Sequence, residues 1–113
     1  QHQAEACELI ESSALRCSEK ALGLDDIATA REAVARGLRA LPMNEPLYRE
    51  RMRVEAAAGN PDGVRRSLTE LRAALHSRSA GTMSFEPEFA TSQLAMSLAS
   101  ASGARVASST GAV

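Results

Sequence analysis

Two histidines and two cysteines are the side chains best suited to hold a metal, move a proton or attack a carbon, and their positions assign them no such task. His2 stands at the very start of the chain, and His76 falls near the end of a helical stretch, where an imidazole suits the negative end of the helix dipole. Cys7 and Cys17 are ten residues apart, about 15 Å along a helix axis. That is beyond the ~7 Å that a disulfide spans between Cα atoms. They are expected to be reduced, small apolar residues on a buried helix face. No HExxH pair, CxxC, glycine-rich phosphate loop or GxSxG elbow occurs, so metal hydrolysis, redox exchange, nucleotide binding and acyl transfer have no candidate residues. The carboxylates, Glu5 and Glu8 among them, read as solvated helix faces. No catalytic, metal or cofactor site is expected, and the chain is not expected to be an enzyme.

Binding chemistry is left, and it resides in the charges. Thirteen basic and 14 acidic residues leave a net charge of −1 and a pI near 6.2, which supplies no drive toward nucleic acid or anionic lipid. Charge is nonetheless graded, since residues 1 to 30 carry −4, residues 31 to 78 carry +4 and the remainder −1. The basic middle interleaves Arg49, Arg51 and Arg53 with Glu50 and Glu55, a pattern of solvated charge that lacks the one-sided patch phosphate contact requires. Direct DNA binding is not expected. Arg49 and Arg53, one helical turn apart, could instead grip carboxylates through charge-assisted, bidentate bonds. The plainer reading makes them ordinary surface arginines, and the 12 arginines against one lysine, with 22 alanines, read as the codon usage of a GC-rich genome.

The elements that must position these side chains are helices. Hydrophobic residues make up 44% of the chain, and one Tyr, two Phe, no Trp and few β-branched residues leave little for a sheet. A first helix from about Gln3 to Leu22 repeats Cys7, Ile10, Ala14, Cys17 and Ala21 at three- and four-residue steps and stops at Gly23. Asp25 or Asp26 caps a second, with Ile27, Ala30, Val34, Leu38 and Leu41 on one stripe before Pro42. Asn44 and Pro46 open a third, carrying Leu47, Tyr48, Met52 and Ala56 as far as Gly59. Asn60, Pro61 and Asp62 open a fourth with Val64, Leu68, Leu71 and Leu75, and a loop is expected from Arg78 to Ser84. Glu86-Pro87-Glu88 starts a fifth with Ala90, Leu94, Leu98 and Ala101, ending at Gly103. One domain spans 1–103, and 104–113 is expected as a flexible tail. The longest uncharged run, Phe89 to Ala104, is 16 residues and too polar to span a bilayer. A soluble, cytoplasmic domain is expected, and the opening Gln1-His2-Gln3 reads as part of a longer protein.

Comparing the chain with itself shows a period of 34. Ala30, Val34, Gly37 and Pro42 correspond at that offset to Val64, Leu68, Leu71 and His76, while Arg31, Ala40 and Leu41 meet identical residues at Arg65, Ala74 and Leu75. Thirty-four residues is the tetratricopeptide period. Short connections force consecutive helices to be antiparallel, so the expected fold is all-α, a tetratricopeptide-like stack of helix pairs with about five helices.

Arg36-Gly37-Leu38, Leu41-Pro42, Asn44-Glu45, Leu47-Tyr48-Arg49, Met52, Ala58-Gly59, Val64, Leu71, Leu75 and Glu86-Pro87-Glu88 with Leu94 together resemble the bacterial transcriptional activator domain. The likeness runs from about Ala4 to Leu98 and departs from the family at Glu55 and Phe89. It implies a tetratricopeptide-like helical fold, set behind a winged-helix DNA-binding domain in antibiotic-regulatory activators or fused to membrane segments and LysM modules in other parents. The wording here is closer to the second kind.

These readings converge on a non-catalytic protein–protein interaction module of a larger bacterial regulatory or envelope-associated protein. Its expected partner is a protein segment, acidic by the charge argument, or a copy of itself. In the repeat register Arg49 and Arg53 face a groove across from Glu19, and these three are the expected partner-binding residues. The alternatives are an accessory domain in transcription regulation, with DNA contacted elsewhere in the parent, and a structural self-association unit.

Overall fold

Alanine, leucine and arginine are strong helix formers, and in the computed structural model the described residues form five helices. They are α1 (His2–Gly23), α2 (Ile27–Ala40), α3 (Glu45–Ala57), α4 (Pro61–Ser79) and α5 (Phe89–Gly111). The structure describes residues 2–79 and 86–111, with side chains described for 4–77 and 86–100, and no strand occurs among them. Each helix packs on the next, and α3 also touches α1 and α5. The result is an all-α, tetratricopeptide-like stack of antiparallel pairs, α1 with α2 and α3 with α4, with α5 laid on the second pair.

Hydrogen bonding at the turns carries the same 34-residue period as the sequence. After α1, Asp25 takes a left-handed conformation (φ 58), its N–H donates to the Leu22 carbonyl at 3.0 Å and the Asp26 N–H to Ala21 at 2.8 Å. This is a Schellman closure. After α3, Gly59 does the same (φ 72), donating to Ala56 at 3.0 Å while the Asn60 N–H donates to Glu55 at 2.9 Å. The next helix then starts on the side chain one residue further on. Asp26 accepts from the Thr29 N–H at 3.2 Å and Asn60 from the Gly63 N–H at 3.1 Å. Gly23 does end α1, but the left-handed residue is Asp25, because the Schellman bonds need it two places further on.

Opposite effects follow at the two turns. Asp25→Gly should stabilise the fold by about 0.5–1 kcal/mol, since glycine meets no steric penalty at positive φ. Gly59→Ala should cost about 1 kcal/mol through the backbone alone, because a Cβ there would meet nothing within 4 Å. Paired thermal melts check both signs.

The core has two halves that share α3. Ala21, Ala30, Val34 and Val54 form one, with Leu22, Ile27 and Leu38 packed around them. Met52, Val64 and Ala95 form the other, flanked by Ala56, Leu68, Leu98 and Ala99. Being covered from both sides, α3 buries Leu47, Tyr48, Glu50, Met52 and Val54. At the end of the stack, α1 buries only Ala14, Ser18 and Ala21 among its described side chains.

Four expectations need correction. Cys7 and Cys17 are both exposed; the periodic stripe of α1 is real, but only the part turned toward α2 and α3 is covered, and Ser18 takes the inner place. α5 does not stop at Gly103 but continues to Gly111. No proline intervenes in that alanine- and serine-rich stretch, and one glycine costs a helix only about 1 kcal/mol. The fifth helix also rotates relative to its expected face, burying Thr91 and Ala95 and leaving Ala90 exposed with Leu94 and Leu98 half-buried. Arg78 and Ser79, expected at the start of a loop, are helical, since α4 reaches Ser79, and the rest of that expected loop lies outside the described residues.

Candidate functional site

Small side chains along two adjacent helices leave a furrow between them unless a third helix fills it. Leu9, Ile10, Ser13, Ala14 and Cys17 of α1, with Ala28, Thr29, Glu32, Ala33, Arg36, Gly37 and Ala40 of α2, line an open groove of about 910 Å³ at the end of the stack. Four alanines and one glycine are among its twelve lining residues, and Leu9 and Ile10 are exposed. Glu32 and Arg36 are its charged residues, and Glu32 is shared, 3.6 Å from Arg36 and 3.3 Å from Arg39.

The internal repeat shows what ordinarily fills such a furrow. Thirty-four residues beyond Ser13, Ala14 and Cys17 stand Leu47, Tyr48 and Arg51, and α2 lies along that side of α3. A Cβ on Gly37 would sit 3.0 Å from Leu47 Cδ1, Arg31 of α2 grips Glu55 with two bonds of 2.8 Å, and Val34 and Leu38 face Arg51 and Val54 across a shared hollow. Arg51 itself lies 5.9 Å from the Tyr48 ring centre and 2.6 Å from Glu70. Burial raises the Tyr48 hydroxyl above its ordinary value, with Arg51 opposing and Glu70 adding to the shift. The corresponding face of α1 has no such covering helix among the described residues.

The expected partner-binding residues are placed differently from one another. Arg49 donates to Thr91 Oγ1 at 2.8 Å and lies 3.9 Å from Glu88, and the same Thr91 hydroxyl donates to Glu45 at 2.8 Å. Glu45 also accepts from the Glu88 N–H at 2.9 Å, so Arg49 and Glu45 together tie the start of α5 to α3. Arg53 is 48% exposed and donates to Glu50 at 3.2 Å. Glu50 is only 2% exposed, and its other oxygen accepts from the buried Ser18 hydroxyl at 2.8 Å. Glu19 is exposed on α1, beside Ser18. Sequence reasoning missed both the Ser18–Glu50 bond and the groove. The available signal for the groove was Leu9 beside Ile10, two large apolar residues exposed on a helix whose buried positions, Ala14, Ser18 and Ala21, are small.

The Arg31–Glu55 bridge gives the fold a measurable acid response. Hydrogen bonding from Arg31, helped by Asn60 and opposed by burial, holds the Glu55 carboxyl below the usual glutamate range, and Glu55 raises Arg31 in turn. A carboxyl depressed in the folded state contributes stability that is present above its unfolded value and lost as pH falls through the folded one. Asp26, lowered by the Thr29 hydroxyl and then by the Thr29 N–H, acts in the same direction. Arg31→Met is therefore expected to flatten the loss of stability below the glutamate range, and denaturant midpoints between pH 7 and pH 2 would show it. A variant losing stability in acid as steeply as the wild type would remove the bridge from the account.

Among the described residues no cluster of three or more His, Cys, Asp or Glu could hold a metal, and no helix is long and apolar enough to cross a membrane. No protein-family model, curated protein or solved structure matches the chain.

Proposed function

We propose that the chain is a non-catalytic protein–protein interaction module that receives an amphipathic helix in the α1–α2 groove. One observation carries the reading: the equivalent side of α3 is covered by a helix, α2, whereas no described residue covers the same side of α1. Helix-in-groove recognition needs an apolar furrow bounded by helices with polar rims, and this groove has both. The resemblance to the bacterial transcriptional activator domain supports the same reading and suggests a regulatory or envelope-associated parent. Arg49 and Arg53 are engaged within the fold, which moves recognition from the surface expected around Glu19, Arg49 and Arg53 to the α1–α2 groove.

Cys17 is an exposed thiol on the groove wall and reports on it directly. In a Cys7→Ser protein held at a few micromolar, alkylation of Cys17 by iodoacetamide is timed with and without a synthetic peptide of residues 26–41. That peptide is the α2 segment, the helix lying on the equivalent side of α3. A peptide of this length is marginally helical alone, so an affinity of about 100 µM is expected, and 0.5 mM peptide should slow alkylation roughly sixfold by mass action. An unchanged rate at 1 mM peptide would sink the reading.

A further inference from the structure

We propose that the helix seated in the α1–α2 groove is α5 of a second copy of this chain, so that copies join end to end. This inference rests on the groove being a helix receptor and names its occupant. Three features of α5 match the groove.

The first is the distribution of size. Phe89 is 78% and Met96 66% exposed, and with Gln93 and Ser100, also exposed, they form one stripe at helical spacing. Large side chains thus project from a helix at one end of the stack, and a furrow walled by Ala14, Ala28, Ala33, Gly37 and Ala40 opens at the other. The second is length. From Phe89 to Ser100 the stripe runs about 16 Å, and from Ala28 to Ala40 the groove runs about 18 Å. The third is charge. No charged residue occurs from Phe89 to Ser100, which is unusual for the solvent side of a terminal helix. The acids just before it are paired within their own chain, Glu86 with Arg72 at 3.8 Å and His76 at 3.2 Å and Glu88 with Arg49 at 3.9 Å, so the stripe brings no unpaired charge to a groove whose Glu32 and Arg36 are themselves paired.

Two different surfaces meet in this contact, so it is heterologous and does not close on itself in a dimer. Copies add to copies, with weak affinity because the surface is small. Within one chain the contact is out of reach, since α5 packs on α3 and α4.

Sedimentation equilibrium of the intact chain from 5 µM to 1 mM tests this. The mass should rise continuously from 11.9 kDa, with half-association at about 100 µM. Ala28→Glu spoils the groove at an exposed position, and Met96→Glu spoils the stripe. Each alone should remain a monomer at 1 mM. Mixed one to one, they should form a species of twice the chain mass and no larger, because each supplies the surface the other lacks. Ser13→Glu replaces Ala28→Glu if the latter melts early. A single monomer up to 1 mM overturns the inference. So does a mixture that fails to pair, or a variant that associates as the wild type does, as a groove-to-groove or stripe-to-stripe contact would allow. If the chain stays monomeric while the 26–41 peptide still shields Cys17, only self-association falls; if the peptide also fails, the groove reading falls with it.

Discussion

Ending the chain at Ser79 is expected to lower the unfolding free energy on the order of 5 kcal/mol, enough to remove most of the stability of a domain this size. Met52 and Val64 are fully buried, and the side chains against them include Ala95, Leu98 and Ala99 of α5. Exposing a buried Met or Val costs about 1.5–3 kcal/mol each, and Leu68 and Ala56 lose cover with them. Glu45 and Arg49 also lose the Thr91 hydroxyl and the Glu88 N–H that bind them. The remaining four helices keep the first half of the core, so residual helix by circular dichroism with a weakened, broad urea transition is the expected outcome. A truncated chain with the midpoint and steepness of the full one would show that α5 is an appendage and not the cover of the second pair.

Gly37→Leu should cost about 3 kcal/mol or more. Gly37 lies where α1, α2 and α3 meet, and a Cβ there would stand 2.9 Å from the Ala14 Cβ and 3.0 Å from Leu47 Cδ1. Leu47 can turn its side chain, but the Ala14 Cβ moves only with its backbone, so α1 must be displaced. Overpacking of this kind costs about 1–3 kcal/mol for small increments, and three further carbons exceed the space. Gly37→Ala is the informative intermediate. It gains up to about 1 kcal/mol of helix propensity and still loses overall, while Ala14→Gly in the same chain should return part of the loss as a non-additive term. Urea midpoints of the two single variants and the double variant give that coupling. A Leu variant as stable as the wild type would mean that α1 slides freely on α2. It would also deny the groove its shape, since Ala14 and Gly37 line it.

The contrast at the same place in the next repeat shows how far residue types alone can be read. Leu71 occupies the position 34 residues after Gly37 and is fully buried, so the repeat identifies an inward position without revealing how much room it has. Helix number, the all-α class, the caps at Asn44 and Asn60 and the 34-residue period follow from the sequence by itself, because they depend on bonds and spacings within a turn or two of chain, while the choice of Asp26 over Asp25 as the cap of α2 came from the structure. Glu55 was legible as an unusual residue in an apolar place, but not as the partner of Arg31 on the preceding helix. Cys17, Ser18 and Thr91 were not legible in their roles. Which of two neighbouring residues turns inward depends on helix rotation, and rotation is decided by packing against other helices and by bonds such as Ser18 to Glu50. The groove belongs to the same class of facts. Its alanines, its glycine and the larger residues beside them are unremarkable until tertiary structure sets two helices side by side and leaves the third position open among the described residues, where apolar surface stays in contact with water.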